Sequence, residues 1–507
     1  MADDESVGSR LMGLVFSDQE SKRLRLRKPI EGIVDDTERG PHLKRLLGPW
    51  QLTFLGVGHI IGVGIFVLVG PAIGNWAGPS IIISMLIAAT TCGLVALCYS
   101  EFASMMPVAG SAYAYSYASF GEFFAWIIGW DLILEYAVGA TAVAIGWSGY
   151  FYTLTAGFGV PFEWTHPPAV CNDAGACGII NLPAIGIILF LTILMSRGAK
   201  EAANLNFIIV IVKLAAILIF ILVAAALFNG NAFADFQPNG WGGTFTGAAI
   251  IFFAFIGFDA VSTAAEEAKD PAKDMKTAIV GSLGVATVVY LLIGLTVVGL
   301  MTDGFGMAEL GVSSSALADA LSFHGQGTAA ALVAGGALFA ITSVLLVSLY
   351  AQPRIFFALA RDGLLPDRFA RLNKHQVPSQ TIWTTGILVA FFAGFVGIGE
   401  AAELTNIGTL FAFILVAFGI FKLRKERPDI HRPFKVPLFP IVPIAAIIMS
   451  AFLMLSLPFH TWVRFIAWLF AGFFIYAYFG LTHSKLARRA GMVPPEAVAP
   501  PAPKEGA

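Results

Sequence analysis

Charged residues are scarce in this 507-residue chain, because Asp, Glu, Lys and Arg together make up only 13% of it. Soluble domains usually carry about 25% charged residues. Hydrophobic residues make up 57% of the chain, 43 residues are phenylalanine, and the mean hydropathy is +0.77. So little polar surface cannot cover a water-soluble core, which excludes a soluble globular protein and indicates a membrane protein.

Cysteine is also scarce, with four residues in the chain. Cys92 and Cys98 fall in an apolar run, as is typical of buried packing residues. Cys171 and Cys177 fall in a predicted outer loop, where a disulfide is permitted but not required. The first 28 residues are polar and basic without an apolar core, so we expect no removable signal peptide.

Sequence patterns that indicate an enzyme are missing as well. No Cys/His spacing suggests a metal site. No nucleophile comes with a base and an orienting partner, which argues against a membrane-embedded hydrolase or acyltransferase. We therefore expect no enzymatic activity, no cofactor and no metal.

Apolar runs long enough to cross a bilayer recur along the chain. A transmembrane helix needs about 20 apolar residues to cross a hydrocarbon core of about 30 Å. The runs predict twelve spans, near 51–73, 79–104, 121–155, 181–196, 204–228, 244–264, 278–301, 328–358, 380–398, 403–421, 437–457 and 462–482.

The basic residues predict how these spans are oriented. With the N-terminus inside, 29 of the 31 Lys and Arg residues fall in inner segments, and the exceptions are Lys213 and Arg464. Lys and Arg concentrate in cytoplasmic loops. We therefore predict a multi-pass protein of the cell inner (plasma) membrane with both termini cytoplasmic.

Three regions follow from this division. Residues 1–45 form a basic cytoplasmic tail, which either lies on the anionic inner leaflet or is flexible. Residues 46–485 form the transmembrane domain. Residues 486–507, rich in Pro and Ala, are expected to be a disordered cytoplasmic tail.

Two predicted spans contain residues that disfavour a continuous helix. Span 1 has glycines at 56, 58, 62 and 64, each of which costs about 1 kcal/mol relative to Ala inside a helix. Span 6 has Asp259 two residues after Gly257 in an otherwise apolar run. Glycines could instead serve close helix packing. However, these two spans cross in opposite directions, and interrupted segments at matching positions of two inverted halves indicate a transporter's binding site.

Broken helices would also suit a zwitterionic ligand. The N-terminus of a half-helix offers amides and a positive dipole end to a carboxylate. Carbonyls at the C-terminus of a half-helix would accept hydrogen bonds from an ammonium. These are the two charged ends of an amino acid.

Four motifs along the chain resemble those of one transporter family. They are Ile61-Gly62-Val63-Gly64-Ile65-Phe66, Gly129-Trp130-Asp131-Leu132-Ile133-Leu134-Glu135-Tyr136, Phe253 to Asp259 with the following Ser262-Thr263-Ala264-Ala265-Glu266-Glu267, and Arg354-Ile355-Phe356-Phe357 with Arg361-Asp362-Gly363-Leu364-Leu365-Pro366. From about residue 45 to 485 the chain resembles the cationic amino acid transporter branch of the amino acid–polyamine–organocation (APC) superfamily, in its bacterial proton-coupled type. It departs from the pattern at His59, where a small residue is expected.

The resemblance implies an all-α polytopic membrane protein with the LeuT-type fold. That fold is a five-plus-five inverted repeat with helices 1 and 6 broken, followed by two extra helices. It also implies a substrate site at the two breaks, formed by Ile61, Gly62, Val63, Gly64, Phe253, Ala254, Ile256 and Gly257. Phe253 would close over the substrate as a gate.

The same resemblance places Ile341 of span 8 at the side-chain end of the pocket. An apolar Ile offers no acceptor to a guanidinium or to a long ammonium. We therefore expect import of small or medium neutral L-amino acids such as alanine. Transport of arginine or lysine, and exchange of amino acids, are the alternatives.

Lys213 lies about ten residues beyond the inner end of span 5, or about 15 Å, which is close to the midplane. A Lys at this depth costs roughly 2.5–3.5 kcal/mol on insertion scales. It could be purely structural, buried against fixed carbonyls. The resemblance implies instead that its ammonium takes the place of a sodium ion that joins spans 1, 5 and 8 in sodium-coupled relatives. Thr342 and Ser343 could supply further oxygens, and loss and regain of the proton could couple transport to a proton gradient.

Other polar residues also fall inside the spans. Glu135 either caps backbone amides or lies below the pocket, where it contacts the substrate side chain or relays protons. We expect Asp131 to order the helix bundle, and Asp259 to cap a half-helix. His59 is either a packing residue or a source of pH sensitivity. Glu266 and Glu267 are expected to make helix-terminal or gate contacts.

The expected partners are an amino acid substrate, protons and membrane lipids, and no nucleic acid is expected. Whether a small accessory membrane protein also binds is left open. A channel would need a ring of polar residues along a pore. Here the polar features converge on one site at the midplane, which favours a transporter.

Overall fold

The computed structural model describes residues 26–28, 30, 47–108, 110–168, 170–171, 175–197, 200–265, 268–313, 315–371, 373 and 378–491. These residues fold into helices, with isolated bridges and no strand among them. In chain order the α-helices are α1 (Pro49–Ile60), α2 (Val69–Ala72), α3 (Ile81–Met105), α4 (Ser111–Ser119), α5 (Glu122–Thr155), α6 (Leu182–Arg197), α7 (Lys200–Ala226), α8 (Gly240–Ile251), α9 (Ala260–Thr263), α10 (Pro271–Gly299), α11 (Met307–Val312), α12 (Ala316–Phe323), α13 (Gly327–Arg361), α14 (Ser379–Phe395), α15 (Ile398–Glu426), α16 (Ile441–Leu455), α17 (Phe459–Ile475), α18 (Leu481–His483) and α19 (Lys485–Arg489).

Many of these helices are long and apolar enough to cross a membrane. Eight stretches in the described part of the chain qualify by length and composition, and α6, α14 and α16 are shorter apolar helices. One stretch, Pro49–Met105, has 57 residues. At 1.5 Å per residue it would extend about 85 Å, far more than a hydrocarbon core of about 30 Å, so it is long enough for two crossings. The chain is thus a polytopic helical protein, and the count of twelve crossings stays a prediction.

The first crossing is interrupted, as the glycines predicted. Helix α1 ends at Ile60, and Ile61 has an extended backbone with φ −77° and ψ 101°. The chain resumes at Gly64 in π-helical turns that flank α2, at Gly64–Leu68 and Ile73–Ala77.

The second interruption follows α8. A 3-10 turn, Phe252–Phe255, leads to Ile256, whose backbone is extended with φ −64° and ψ 142°. Gly257 then has φ +122°, a conformation that side chains with a Cβ rarely adopt, before α9 begins. The glycine is therefore needed to turn the chain at this point.

The long helix α5 lies at the centre of the packing. It contacts both α13 and α15, while α10 contacts α1 and α3, and α7 contacts α13. Together these contacts hold the two interruptions against one another, and they position the cavity described below.

The described residues of the N-terminal segment form ion pairs with the helical part of the chain. Arg27 pairs with Glu426, and Lys28 Nζ lies 3.2 Å from Asp362 Oδ1. Most of residues 1–45, for which a membrane-surface helix or a flexible tail was predicted, lie outside the described residues. At the other end, the short helix α19 spans Lys485–Arg489, at the start of the predicted C-terminal tail.

The four cysteines are of two kinds. Cys92 and Cys98 are free and buried, as predicted. Cys171 and Cys177 form a disulfide, which the sequence had left open.

Candidate functional site

The two interruptions lie directly against each other. A Cβ added at Gly64 would come within 2.3 Å of Ala254 Cα, and one added at Gly257 within 3.1 Å of the His59 ring. The Tyr290 hydroxyl, on α10, also contacts both, at 2.7 Å from the Ile60 carbonyl oxygen and 2.8 Å from that of Ala254. The pairing of the two breaks therefore depends on glycine backbones and on one tyrosine.

Lys213 provides hydrogen-bond donors to the carbonyls that the first break leaves without helical partners. The last carbonyls of a helix have no intrahelical donor. Lys213 Nζ donates to the Gly58 oxygen at 2.5 Å and to the Ile61 oxygen at 2.8 Å. Its ammonium is fully buried at this negative end of α1, where a cation is favourable.

Ser343 completes this arrangement, and Thr342 does not. The ammonium donates to Ser343 Oγ at 3.2 Å, and that hydroxyl donates to the Gly58 oxygen at 3.0 Å. Thr342 instead donates to the Leu338 oxygen and accepts from Trp147 Nε1. Consecutive residues of a helix point about 100° apart, so both hydroxyls cannot reach the same ammonium. The expectation that Thr342 joins the Lys213 cluster is therefore wrong.

A cavity of about 40 Å³ lies beside the breaks, between α1, α5, α13 and α15. Its walls are mainly aliphatic and aromatic, with a few polar groups. The lining residues are His59, Ile60, Val63, Gly64, Glu135, Tyr136, Gly139, Val143, Phe253, Ile256, Val344, Ser348 and Thr405. A mostly apolar cavity with a few polar groups is the usual form of a small-molecule site.

Half of the predicted substrate residues line this cavity. They are Val63, Gly64, Glu135, Phe253 and Ile256. Ile61, Gly62, Ala254 and Gly257 do not line it, although they form or flank the breaks.

Ile341 does not line the cavity either, although the sequence placed it at the side-chain end of the pocket. It is fully buried among other side chains, and Val344 and Ser348 of the same helix reach the cavity instead. The helix is apolar on several faces, so its rotation, which the sequence does not report, decides which residue faces the cavity. On this helix the apolar part of the wall is therefore Val344.

Sequence reasoning assigned His59 to packing or to pH sensitivity, and it missed Ser348. The two form a pair on the cavity wall, with His59 Nε2 3.3 Å from Ser348 Oγ. The departure of His59 from the family pattern was the one signal that could have pointed to it.

The buried carboxylates of span 3 contact different groups. Glu135 lines the cavity, and its Oε1 has no hydrogen-bond partner among the described residues. Asp131 lies against α15, where a Cβ at Gly408 would come within 2.7 Å of its Oδ1.

Asp259 stands at the N-cap position of α9, as expected, but its carboxylate makes no capping bond to that helix. It accepts a hydrogen bond from the Tyr136 hydroxyl at 3.2 Å instead. The sequence located the residue correctly and assigned it the wrong partner. Glu266 and Glu267, the predicted gate residues, lie outside the described residues.

A polytopic helical bundle with two interrupted helices beside one cavity is the architecture of a secondary transporter. The comparison with known families agrees with this class. The sequence model of the amino acid permease family matches residues 47–485, so the chain belongs to this family of the APC superfamily.

Curated relatives are transporters and permeases, as the absence of enzyme motifs predicted. The chain is 42% identical to a methylthioribose transporter of Bacillus subtilis over 463 residues, which cover 91% of this chain and 98% of the relative. It is 43% identical to a branched-chain amino acid permease of the same organism, with the same coverage. It is also 36% identical to a vacuolar cationic amino acid transporter of Arabidopsis thaliana, over 80% of this chain and 63% of the relative.

Proposed function

We propose that the chain imports neutral L-amino acids together with protons, with the substrate held at the two helix breaks. The observation that carries the proposal is the Lys213 ammonium bound to the carbonyls of the first break, beside a cavity at which the second break also lies. The substrate's own ammonium and carboxylate would meet the remaining polar backbone groups of the breaks. The LeuT-type inverted repeat with twelve crossings is part of the same proposal.

The charge of Lys213 supports protons over sodium as the coupling ion. A second cation held about 4 Å away would be repelled by about 4 kcal/mol even at an effective dielectric constant of about 20. Sodium therefore binds poorly while Lys213 is charged. The lysine instead gives up and regains its proton as α1, α7 and α13 rearrange during transport.

The lining of the cavity supports a neutral side chain of small or medium size. Ile60, Val63, Val143 and Val344 present aliphatic carbon to the cavity. Alanine fits this description, and so do the branched-chain amino acids after which one relative is named.

A second candidate is a cationic amino acid, because one observation favours it. Glu135 lines the cavity with an oxygen that has no partner among the described residues, and it could accept a hydrogen bond from a guanidinium or an ammonium. The two candidates differ in whether the carboxylate binds the substrate or only borders it.

Uptake into proteoliposomes tests the proposal and separates the candidates. The panel consists of alanine, leucine, arginine, lysine and methylthioribose, each with and without an inward pH gradient, in sodium, potassium or choline buffer. We expect gradient-driven, saturable accumulation of alanine or leucine that a protonophore abolishes and that is the same in all three cations. Dependence on sodium would contradict proton coupling, and preferred uptake of arginine would replace the neutral substrate by the cationic one.

A further inference from the structure

A second cavity, of about 190 Å³, lies at the ends of several helices and shares no lining residue with the first. Its lining residues are Lys28, Tyr117, Arg361, Asp362, Lys485, Leu486 and Arg489. They come from the N-terminal segment, α4, the end of α13 and α19, and all four basic residues belong to the segments that we predict to be cytoplasmic. This cavity has more than four times the volume of the one beside the breaks.

The lining of this cavity is strongly basic, with four cationic side chains and one carboxylate. The carboxylate, Asp362, is already engaged, since its Oδ1 lies 3.2 Å from Lys28 Nζ and its Oδ2 accepts from the Tyr113 hydroxyl at 2.7 Å. Lys485 pairs with Asp367 at 3.4 Å, but the Asp367 side chain is 71% exposed. A pair so exposed to water is weak, which leaves the ammonium able to bind another anion.

Arg361 is the residue that most clearly lacks a partner. It ends α13, it is half-buried, and it forms no hydrogen bond or ion pair within the described part of the chain. A guanidinium has five N–H donors and binds phosphate in a bidentate manner. An unpaired arginine in a basic cavity is therefore a candidate ligand for a phosphate group.

We propose that this cavity binds the phosphate of an anionic lipid headgroup. Arg361 and Arg489 would hold the phosphate oxygens, with Lys28 and Lys485 as further cations. Clusters of basic residues next to membrane helices on the cytoplasmic side attract anionic lipids. A free phosphate ion shares the same chemistry, so the source of the phosphate has to be decided by experiment.

The neighbouring helix surface favours a lipid as the source. Phe470, Phe474 and Tyr478 are spaced four residues apart, are 58%, 67% and 88% exposed, and belong to the stretch of chain that leads into Lys485. Such a spacing places them on one face of the helix. Acyl chains lying along this apolar face would bring the headgroup to the basic cavity.

Binding to the full-length, delipidated protein in detergent tests this assignment. The probes are dioctanoyl phosphatidylglycerol, dioctanoyl phosphatidylcholine and inorganic phosphate, each titrated by microscale thermophoresis. We expect phosphatidylglycerol to bind more tightly than phosphatidylcholine, and Arg361→Gln to weaken it about tenfold, as expected for the loss of a charge-assisted hydrogen bond. Arg371→Gln, which removes an exposed arginine that does not line the cavity, is the matched control and should leave binding unchanged.

A second variant controls for the case in which Arg361→Gln misfolds. Lys485 is 47% exposed, so Lys485→Gln should not disturb the packing and should also weaken phosphatidylglycerol binding severalfold. If inorganic phosphate binds as tightly as the lipid and displaces it, the lipid assignment is overturned in favour of free phosphate. If Arg361→Gln and Lys485→Gln bind phosphatidylglycerol as the Arg371→Gln control does, the site itself is refuted.

Discussion

At the scale of single residues, experiments can separate two roles of the Lys213 ammonium, one structural and one in proton coupling. It donates to the carbonyls of Gly58 and Ile61, and Gly58 also accepts from Ser343, so its removal leaves the buried Ile61 carbonyl without this donor, at a cost of about 1–3 kcal/mol. That loss is the same whether the lysine is structural or also carries the coupling proton. Only a measurement that depends on the proton gradient distinguishes these two roles.

We expect Lys213→Ala to lose pH-driven accumulation of substrate while it keeps some exchange of internal for external substrate, because the backbone at the breaks persists. Thr342→Ala is the matched control, since Thr342 is on the same helix as Ser343 but its hydroxyl does not contact Lys213. It should retain accumulation. The measurement is uptake into proteoliposomes with and without an inward pH gradient. Normal gradient-driven accumulation by Lys213→Ala would show that the lysine is structural.

A second prediction at this scale concerns the size of the substrate side chain. Val344→Ala removes carbon from the cavity wall, so uptake of leucine relative to alanine should rise about tenfold, in line with the value of one or two methylene groups in a pocket. Ile341→Val removes carbon from a position that is buried but does not line the cavity, and should leave the ratio unchanged. Competition assays in proteoliposomes measure both. Equal ratios in the two variants would show that the substrate binds elsewhere.

At the scale of helices, the two breaks fit together because glycine lets their backbones approach. Gly64→Ala would place a Cβ within 2.3 Å of Ala254 Cα, which is backbone and cannot move aside cheaply. We expect this substitution to lower substrate affinity at least tenfold and to reduce thermal stability. Gly93→Ala, in the interior of α3, meets nothing within 4 Å and should keep or raise stability, because alanine is the better helix former.

Thermal unfolding in detergent and substrate binding to the same preparations check this pair. Unchanged affinity in Gly64→Ala would mean that the close approach of the breaks is not needed for binding.

The sequence predicted where the helices break but not which side chains face the cavity. Gly62, Gly64, Gly257 and Asp259 mark the breaks because these residue types disfavour a continuous apolar helix wherever they occur. The sequence does not show how α13 is rotated about its axis, because apolar residues occur on all sides of this helix. That is why Ile341 was expected where Val344 lies.

At the scale of the whole molecule, charge and disulfide agree on one orientation. Basic residues gather in the segments predicted to be inside, while the disulfide between Cys171 and Cys177 lies in a segment predicted to be outside. Disulfides persist in oxidising compartments. The disulfide is therefore consistent with the predicted outer position of this loop.

Labelling with a membrane-impermeant maleimide tests the orientation, and the native cysteines should contribute little signal. Of the native cysteines, Cys92 and Cys98 are buried and the other two are joined in the disulfide, so the unmodified protein should react little. In intact cells Asp235→Cys, at an exposed position between α7 and α8, should be labelled. Lys435→Cys, exposed between α15 and α16, should react only after the cells are opened. The reverse pattern would invert the topology.

Tyr290 has a further consequence, which follows from the single proton of its hydroxyl. That oxygen lies within hydrogen-bond distance of the carbonyls of Ile60 and Ala254, but it can donate to only one of them at a time. The two halves of the site thus compete for one donor, and whichever carbonyl loses it becomes a free acceptor at its break. Substrate binding at one break would in this way alter the hydrogen bonding of the other without any helix having to move first.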